Sequence, residues 1–500
     1  TNHGLLKGTT LRRVNDLETS IVTDQSYNAY GEMNEYHAGV IAGGGNPVDI
    51  YSYKFADASG DTTAGRDAKG RILKRQERIA VAAAAATRAF EYVYDAGGRL
   101  KRVTQDGQLA MELTYDDNGN RLSLTTPSGT VYGTYNERDQ VTYYAGTSYT
   151  FDPDGYLQTA TVEATGAQTQ YDYDGFGSLR AVSLPDGRSI TYAYDAQHRR
   201  IGKSVNGQST YQLSYGAGTM PIQQSHAGDE PDSFFIYGER GHVPSFMLQW
   251  ICTLEGDCDA AVYRFITDHL GSVRLVVNVA TAEVVQRIDY DEFGNVLPGG
   301  YTVPGFSQPF GFAGGLYDAD TGLVRFGARD YDAVTGRWTA KDPVLFRGGS
   351  ANLYQYVHGD PINFIDPRGI WEVAGGASAT ADLAWGNWGW SRGINAELAT
   401  NNQTGLYEIE PLPTPLKSGG ILASVGLTGN FAVGEEGATW NGPFENISIA
   451  FLDVGVTVFW SPGDGPSYYG IDWGLGFGLG AGRFSTNYDP IWKPGSGPCP

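Results

Sequence analysis

The stretch Tyr94-Asp95-Ala96-Gly97-Gly98-Arg99-Leu100 decides the fold, because it returns in altered form along the chain. The repeats carry the pairs Tyr94-Asp95, Tyr115-Asp116, Tyr135-Asn136, Phe151-Asp152, Tyr173-Asp174 and Tyr194-Asp195, at intervals of 16 to 22 residues. A period of this length is typical of architectures in which each unit packs only against its neighbours. The chain is therefore predicted to be a repeat protein.

Each repeat predicts a strand, a tight turn and a returning strand. Four residues after each aromatic comes Gly98, Gly119, Asp139, Gly155, Gly177 or His198, and the next apolar positions are Leu100, Leu122, Val141, Leu157, Leu179 and Ile201. Glycine there favours a turn with positive φ. Alternation in Phe90-Glu91-Tyr92-Val93-Tyr94 is the period-two pattern of a half-buried strand. Because one hairpin cannot bury its own apolar face, stacked neighbours must do so, which predicts a β-solenoid.

The composition agrees with an all-β chain and limits the classes of partner that we expect. The 500 residues include 69 glycines and 32 tyrosines, and only 18% are charged, which favours turn-rich β structure. The formal net charge of -21 argues against a nucleic-acid partner.

The alanine-rich stretch Ala80–Ala86 predicts a short helix or a linker, and insertions are expected near 60–88 and 216–259.

The three cysteines do not form a metal-binding pattern, and we expect no metal and no cofactor. Cys252 and Cys258 are close enough in sequence to close a small hairpin loop as a disulfide, and two free thiols are the alternative. No apolar leader follows Thr1, and the repeats begin almost at once, so we expect this chain to be a fragment of a longer one.

From residue 263 the sequence changes to a different series of motifs. They are Arg264–Arg274, Tyr290–Asn295, Phe310–Gly314, Gly322–Asp332, Gly336-Arg337-Trp338, Lys341-Asp342-Pro343, Asn352–Tyr356 and Pro361–Ile370. Together they extend over about 110 residues. A series in this order is far more specific than any single repeat.

The repeats between about 20 and 370 resemble the YD repeats of Rhs proteins, toxin-complex C components and teneurins, and residues 263–370 resemble the Rhs-associated core domain. The resemblance implies a hollow YD-repeat shell, or cocoon, over 1–262, closed by a core plug over 263–370. A variable C-terminal toxin module would then occupy 371–500, enclosed by the shell.

The resemblance also implies that the chain cuts itself at the end of the core domain. Family cores end in a Pro-x4-Asp-Pro-x-Gly-Leu motif, which Pro361, Asp366, Pro367 and Gly369 match here. Ile370 replaces the leucine, and its β-branch stiffens the residue before the scissile bond. We expect the cut between Ile370 and Trp371.

The expected chemistry is that of an aspartic peptidase acting once on its own chain, in which one carboxyl is a base and its partner an acid. The resemblance assigns this pair to Asp330 and Asp342, with Arg329 beside them and Asp366 as a third candidate. Each residue also has an ordinary structural interpretation. Asp-Pro commonly opens a turn, and Arg329-Asp330 would serve equally as an ion pair.

Residues 371–500 differ in composition from the rest. They hold eight of the ten tryptophans and none of the seven histidines, and Arg392, Lys417, Arg483 and Lys493 are their only cations. Lack of histidine excludes histidine-dependent hydrolases and metal nucleases. Stretches such as Val454–Trp460 predict strands of a small Gly/Trp-rich β domain, with a membrane-inserting role for 371–500 as the alternative.

The leading functional hypothesis is a secreted toxin carrier that releases its C-terminal module by autoproteolysis. Its partners would be its own module inside the shell, an immunity protein and a secretion-system component. The rival is an extracellular or wall-associated adhesion protein that releases nothing. Both hypotheses predict a secreted or cell-surface location.

Overall fold

The fold is given by a computed structural model that describes most of the chain up to residue 370 and, beyond it, the backbone of six strands. The described residues are 8–12, 19–28, 32–42, 46–57, 59–81, 84–216, 218–226, 232–252, 258–370, 374–385, 388–399, 405–411, 421–434, 442–460 and 468–492. Two compact units emerge, one holding residues 5–343 and 350–370, the other holding 1–4, 344–349 and 371–500. No helix in the described part is long and apolar enough to span a bilayer.

The first unit is built on a sheet of 25 strands in which every strand pairs antiparallel with the next along the chain. Strands β1 to β25 are Gly8–Arg12, Thr19–Tyr27, Met33–Ala42, Val48–Lys54, Lys74–Val81, Ala84–Tyr94, Leu100–Gln105, Gln108–Tyr115, Arg121–Thr126, Gly129–Tyr135, Val141–Tyr144, Thr147–Phe151, Leu157–Val162, Ala167–Tyr173, Leu179–Ser183, Ser189–Tyr194, Arg200–Val205, Gln208–Tyr215, Pro221–Ser225, Ser233–Ile236, Phe246–Cys252, Cys258–Thr267, Val273–Asn278, Val284–Tyr290 and Val296–Thr302. The predicted all-β repeat architecture is confirmed.

The aspartate and the glycine that recur in the repeats each make a hydrogen bond within the turn. Asp95 Oδ1 accepts the backbone N–H of Arg99 at 2.9 Å, and the Gly98 N–H donates to the Asp95 carbonyl. Gly98 has a φ of 87°, which a side chain would strain. The same hydrogen bond, from the backbone N–H of the fourth following residue to a side-chain oxygen, recurs at Asp116, Asn136, Asp152, Asp174 and Asp195.

The repeat tyrosines connect successive turns. Tyr94 Oη donates to the Ile72 carbonyl at 2.7 Å, and Tyr115 Oη donates to the Leu100 carbonyl at 2.8 Å. Equivalent bonds are made by Tyr135, Tyr194, Tyr215, Tyr237 and Tyr301. A phenol suits this position, since its ring packs half-buried in most of these turns while its hydroxyl finds a hydrogen-bond partner.

The predicted plug of residues 263–370 has two parts. Up to Thr302 it contributes strands to the 25-stranded sheet, whereas residues 316–370, called the plug segment below, have little regular structure and contact the repeats through polar groups. Strands β26 to β29 of the plug segment are Leu316–Tyr317, Leu323–Phe326, Arg329–Asp332 and Arg337–Trp338, and the short 3-10 helices in the described part of the chain are Thr62–Ala64, Phe312–Gly314, Leu345–Gly348 and Val357–Gly359. Arg337 Nη1 donates to Asn120 Oδ1 at 2.7 Å, and Tyr354 Oη donates to the Gly155 carbonyl at 2.8 Å. The segment therefore holds together turns that are far apart in sequence.

The second unit contains strands β30 to β35, which form a separate six-stranded sheet. They are Ala374–Trp385, Trp388–Ala399, Gly405–Pro411, Ile421–Gly434, Gly442–Trp460 and Tyr468–Trp492. Their side chains lie outside the described part of the structure. The proposed membrane role of residues 371–500 therefore stays a prediction.

The prediction of a helix or linker at Ala80–Ala86 is wrong. Strands β5 and β6 meet here as a hairpin in which Ala80 pairs with Ala85 and Val81 pairs with Ala84. Continuing the sheet outweighs the intrinsic helix preference of alanine.

Cys252 and Cys258 face each other across β21 and β22 in backbone register. Their side chains are outside the described part, so the disulfide stays a prediction.

Candidate functional site

The candidate site is organised by strand β28, where two adjacent charged residues point to opposite sides. Arg329 and Asp330 are 2% and 1% exposed, respectively. Successive side chains of a strand alternate between its faces. Each residue therefore belongs to a different buried charge cluster.

The first cluster gathers two carboxylates around one guanidinium. Arg329 Nη2 lies 2.7 Å from Asp342 Oδ2 and 3.1 Å from Asp366 Oδ2. The face of the guanidinium covers the Trp338 ring, with Cζ 4.1 Å from the ring centroid. Because both acids reach the same nitrogen, Asp342 and Asp366 stand close enough to influence each other's protonation.

The same cluster holds the end of the predicted cleavage motif. Arg329 Nε donates to the Gly369 carbonyl, and the Ile370 N–H donates to Asp366 Oδ1 at 3.1 Å. Gly369 has a φ of 64°, and a Cβ there would lie 2.3 Å from the Phe326 carbonyl oxygen. Only glycine fits this position, which gives a physical reason for its place in the motif.

Burial in the cluster changes the acidity of its members. Burial raises the pKa of Asp366 to about 6, Arg329 works against this rise, and the charge of Asp342 adds to it. Burial also lowers the pKa of Arg329, although the two carboxylates favour its charged form. Two carboxylates that contact the same guanidinium repel each other, which favours a retained proton on the pair.

Asp330 belongs to the second cluster. Its Oδ1 accepts from Arg200 Nη2 and its Oδ2 from Arg325 Nη1, both at 2.8 Å. The resemblance implied that Asp330 and Asp342 form the acid pair. In the structure these two acids contact different arginines, and Asp342 shares Arg329 with Asp366 instead. Because Arg329 and Asp330 are adjacent in a stretch that reads as a strand, their side chains could have been predicted to lie on opposite faces.

The segment leading to the site is anchored to distant strands. Asn363 Oδ1 accepts the Ile72 N–H at 2.8 Å, and Asn363 Nδ2 donates to Tyr94 Oη at 2.8 Å. His269 Nε2 donates to the Ile362 carbonyl at 2.8 Å. Sequence reasoning missed both anchors, because their partners are far apart in the chain.

The remaining motif residues lie along the same segment. Pro361 is buried in the turn at 361–363, and Pro367 is half-buried after Asp366. Trp371 lies outside the described residues. The roles of all these residues in cleavage stay predictions.

A 25-stranded meander with Tyr-Asp turns, held by a polar plug segment, defines a YD-repeat shell protein. The chain belongs to the Teneurin YD-shell family, whose sequence profile matches residues 48–362. It is 30% identical to mouse (Mus musculus) teneurin-4 over 310 residues, which cover 59% of this chain and 10% of that protein. The match spans about one tenth of the length of the curated teneurins.

A curated nuclease and a solved structure are also similar to this chain. The tRNA3(Ser)-specific nuclease WapA of Bacillus spizizenii (strain DSM 15029) is 26% identical over 281 residues, which cover 54% of this chain and 11% of that protein. The crystal structure of TcdB2-TccC3 covers 72% of this chain and 28% of its own, with 12% identity and a TM-score of 0.27. That score is too low to support an argument about shape.

Proposed function

We propose that this chain is the shell of a secreted Rhs-type toxin, which cleaves itself after Ile370 to free residues 371–500. Family membership supports the shell role. The observation that carries the cleavage proposal is the Arg329 cluster, because one guanidinium contacts Asp342, Asp366 and the Gly369 carbonyl next to the expected cut.

The chemistry would use the two acids in opposite protonation states. The ionised carboxylate takes a proton from water as the water oxygen adds to the Ile370 carbonyl carbon. The protonated acid then donates its proton to the Trp371 nitrogen as the C–N bond breaks. The products are a carboxylate on Ile370 and a new amino terminus on Trp371. Arg329 would act as a positioning residue that holds both acids.

Other features of the proposal rest on the relatives. The WapA relative is a nuclease by name, which supports a toxin carrier. An immunity protein and a secretion-system component would be partners, and the chain would act outside the cell that makes it. The activity of residues 371–500 is not assigned.

A second candidate function is an extracellular adhesion or structural role without release. The teneurin relatives favour it, because they are similar to the shell over 59% or more of this chain. In that case the Arg329 cluster would be a buried structural network. The two functions predict different masses of the purified chain.

Intact-mass analysis of the purified full chain tests the cleavage proposal. We expect pieces of 370 and 130 residues from the wild type, and only the 500-residue chain from Asp342→Asn or Asp366→Asn. Asp318→Asn is the matched control, since Asp318 is equally buried but pairs with Lys203. An uncut wild type that folds, as judged by circular dichroism, would contradict cleavage and favour the structural role.

A further inference from the structure

The second charge cluster, on the Asp330 side of β28, carries more positive than negative charge. Arg200 and Arg325 both pair with Asp330, and the three side chains are 2%, 3% and 1% exposed. The neighbouring Lys203 contacts the buried Asp318 at 2.7 Å and the more exposed Asp320, which Arg188 also contacts. Counted by themselves, Arg200, Arg325 and Asp330 carry one excess buried positive charge.

One edge of Arg325 is unused within this cluster. Arg325 Nη1 donates a hydrogen bond to Asp330 Oδ2. The Nε and Nη2 atoms of Arg325 are buried and have no hydrogen-bond partner among the described residues. Nε–H and Nη2–H lie side by side on the guanidinium. This pair is the fork with which arginine binds an anion through two parallel hydrogen bonds.

The surroundings of the cluster supply aromatic faces rather than acceptors. Arg200 lies over the Tyr192 ring with Cζ 3.8 Å from its centroid, and Arg325 lies 5.2 Å from the Tyr194 centroid. The Tyr194 hydroxyl already accepts from Arg200 at 3.0 Å. A buried cation without enough acceptors is costly, so this cluster needs a further negative group.

We propose that the Nε and Nη2 edge of Arg325 binds a small monovalent anion, of the size of chloride, bromide or formate, beside Asp330. The anion accepts both free hydrogens and brings the cluster to neutrality. A water molecule would accept the same hydrogens but leave the excess charge. The site goes beyond the proposed cleavage function, since it lies on the opposite face of β28 and uses none of the cleavage residues.

Thermal unfolding of the purified full chain tests the proposal. We expect the Tm to rise and saturate as sodium chloride or sodium formate replaces sodium gluconate at constant ionic strength, because gluconate is too large for the buried edge. An equal Tm in all three salts would overturn the proposal, and water would then be the occupant.

Two variants separate specific binding from general salt effects. Arg325→Leu removes the fork and should abolish the difference between the salts. Arg188→Gln should keep it, because Arg188 lies nearby but pairs with Asp186 and Asp320. A salt response that persists in Arg325→Leu would contradict the site.

A crystallographic measurement covers the case in which Arg325→Leu does not fold. Wild-type crystals grown in sodium bromide should give an anomalous peak within hydrogen-bonding distance of Arg325 Nε and Nη2. Crystals with no bromide peak at Arg325 would also overturn the proposal.

Discussion

The two faces of strand β28 carry opposite versions of the same arrangement. On one face a single cation, Arg329, lies between two carboxylates, and on the other a single carboxylate, Asp330, lies between two cations. Both are buried, and both connect β28 to residues far away in sequence. They differ in the sign of the charge that remains.

The sign of the excess charge decides what each cluster can do. Burial raises the pKa of Asp366 to about 6, Arg329 opposes the rise, and the charge of Asp342 adds to it. A carboxyl group with this pKa keeps its proton at mildly acidic pH and can serve there as an acid. Within the described part of the chain, Arg200 and Arg325 share the single carboxylate of Asp330, an arrangement that connects distant strands and on which the proposed anion site rests.

The largest expected effect is that of Arg329→Met, which leaves Asp342 and Asp366 buried without their cation. Removing one partner of a buried ion pair typically costs about 3–5 kcal/mol of unfolding free energy. Urea unfolding measures the loss. Arg180→Met is the control, because Arg180 is exposed and its contact with Asp174 is 3.9 Å long, so little change is expected. Equal stability of the two variants would contradict the role assigned to Arg329.

The next effect is the pH dependence that Asp366 gives to stability. Its pKa in the folded chain, about 6, lies above its ordinary value of 3.8, so the folded state holds the proton more tightly than the unfolded state. The stability contribution is full below pH 4 and is lost as pH rises through 6, by on the order of 3 kcal/mol.

Comparing wild type with Asp366→Asn isolates this contribution. Relative to Asp366→Asn, the wild type should lose unfolding free energy as the pH rises from 4 to 7. Parallel stability curves over that range would show that Asp366 titrates normally. The cleavage rate should also fall above pH 6, as the protonated fraction of Asp366 decreases.

Asp330→Asn tests whether the two faces of β28 have different roles. We expect a loss of about 2 kcal/mol, because two buried guanidiniums lose their shared charge but keep a hydrogen-bond acceptor. Folded protein should still cleave, in contrast to Asp342→Asn. Measuring unfolding and intact mass on both variants checks this, and loss of cleavage in folded Asp330→Asn would restore Asp330 as a member of the acid pair.

The smallest expected effect comes from a neutral hydrogen bond of the repeats, against which the charged clusters can be scaled. Tyr115→Phe removes the bond from the hydroxyl to the Leu100 carbonyl and should cost about 1 kcal/mol. Tyr132→Phe is the control, since Tyr132 is 63% exposed. If both variants unfold alike, the repeat tyrosines contribute through their rings alone.

Most of the shell could be predicted from the sequence because its rules are local. Tyr94, Asp95 and Gly98 specify one turn within five residues, and the alternation before them specifies the strand. The alanine hairpin was missed because its local preference is for helix, whereas the pairing of Ala80 with Ala85 is set by the neighbouring strands of the sheet.

The acid pair could not be assigned from local sequence. Asp366 reaches Arg329 from 37 residues away, and Arg200 reaches Asp330 from 130 residues away. Those approaches depend on how the plug segment crosses the repeats. The resemblance pointed to Arg329, Asp330, Asp342 and Asp366, whose catalytic roles stay predictions, but which of these acids contact the same arginine required the fold.

The sequence by itself determined a YD-repeat shell, the plug motifs and a change of composition after Ile370, because turn geometry and strand alternation act over a few residues. Only the tertiary structure decided that Asp342 and Asp366 share Arg329 while Asp330 lies between two other arginines. The physical reason is that the pleat of β28 sends adjacent side chains to opposite faces, and long-range packing supplies each face with a different set of charges.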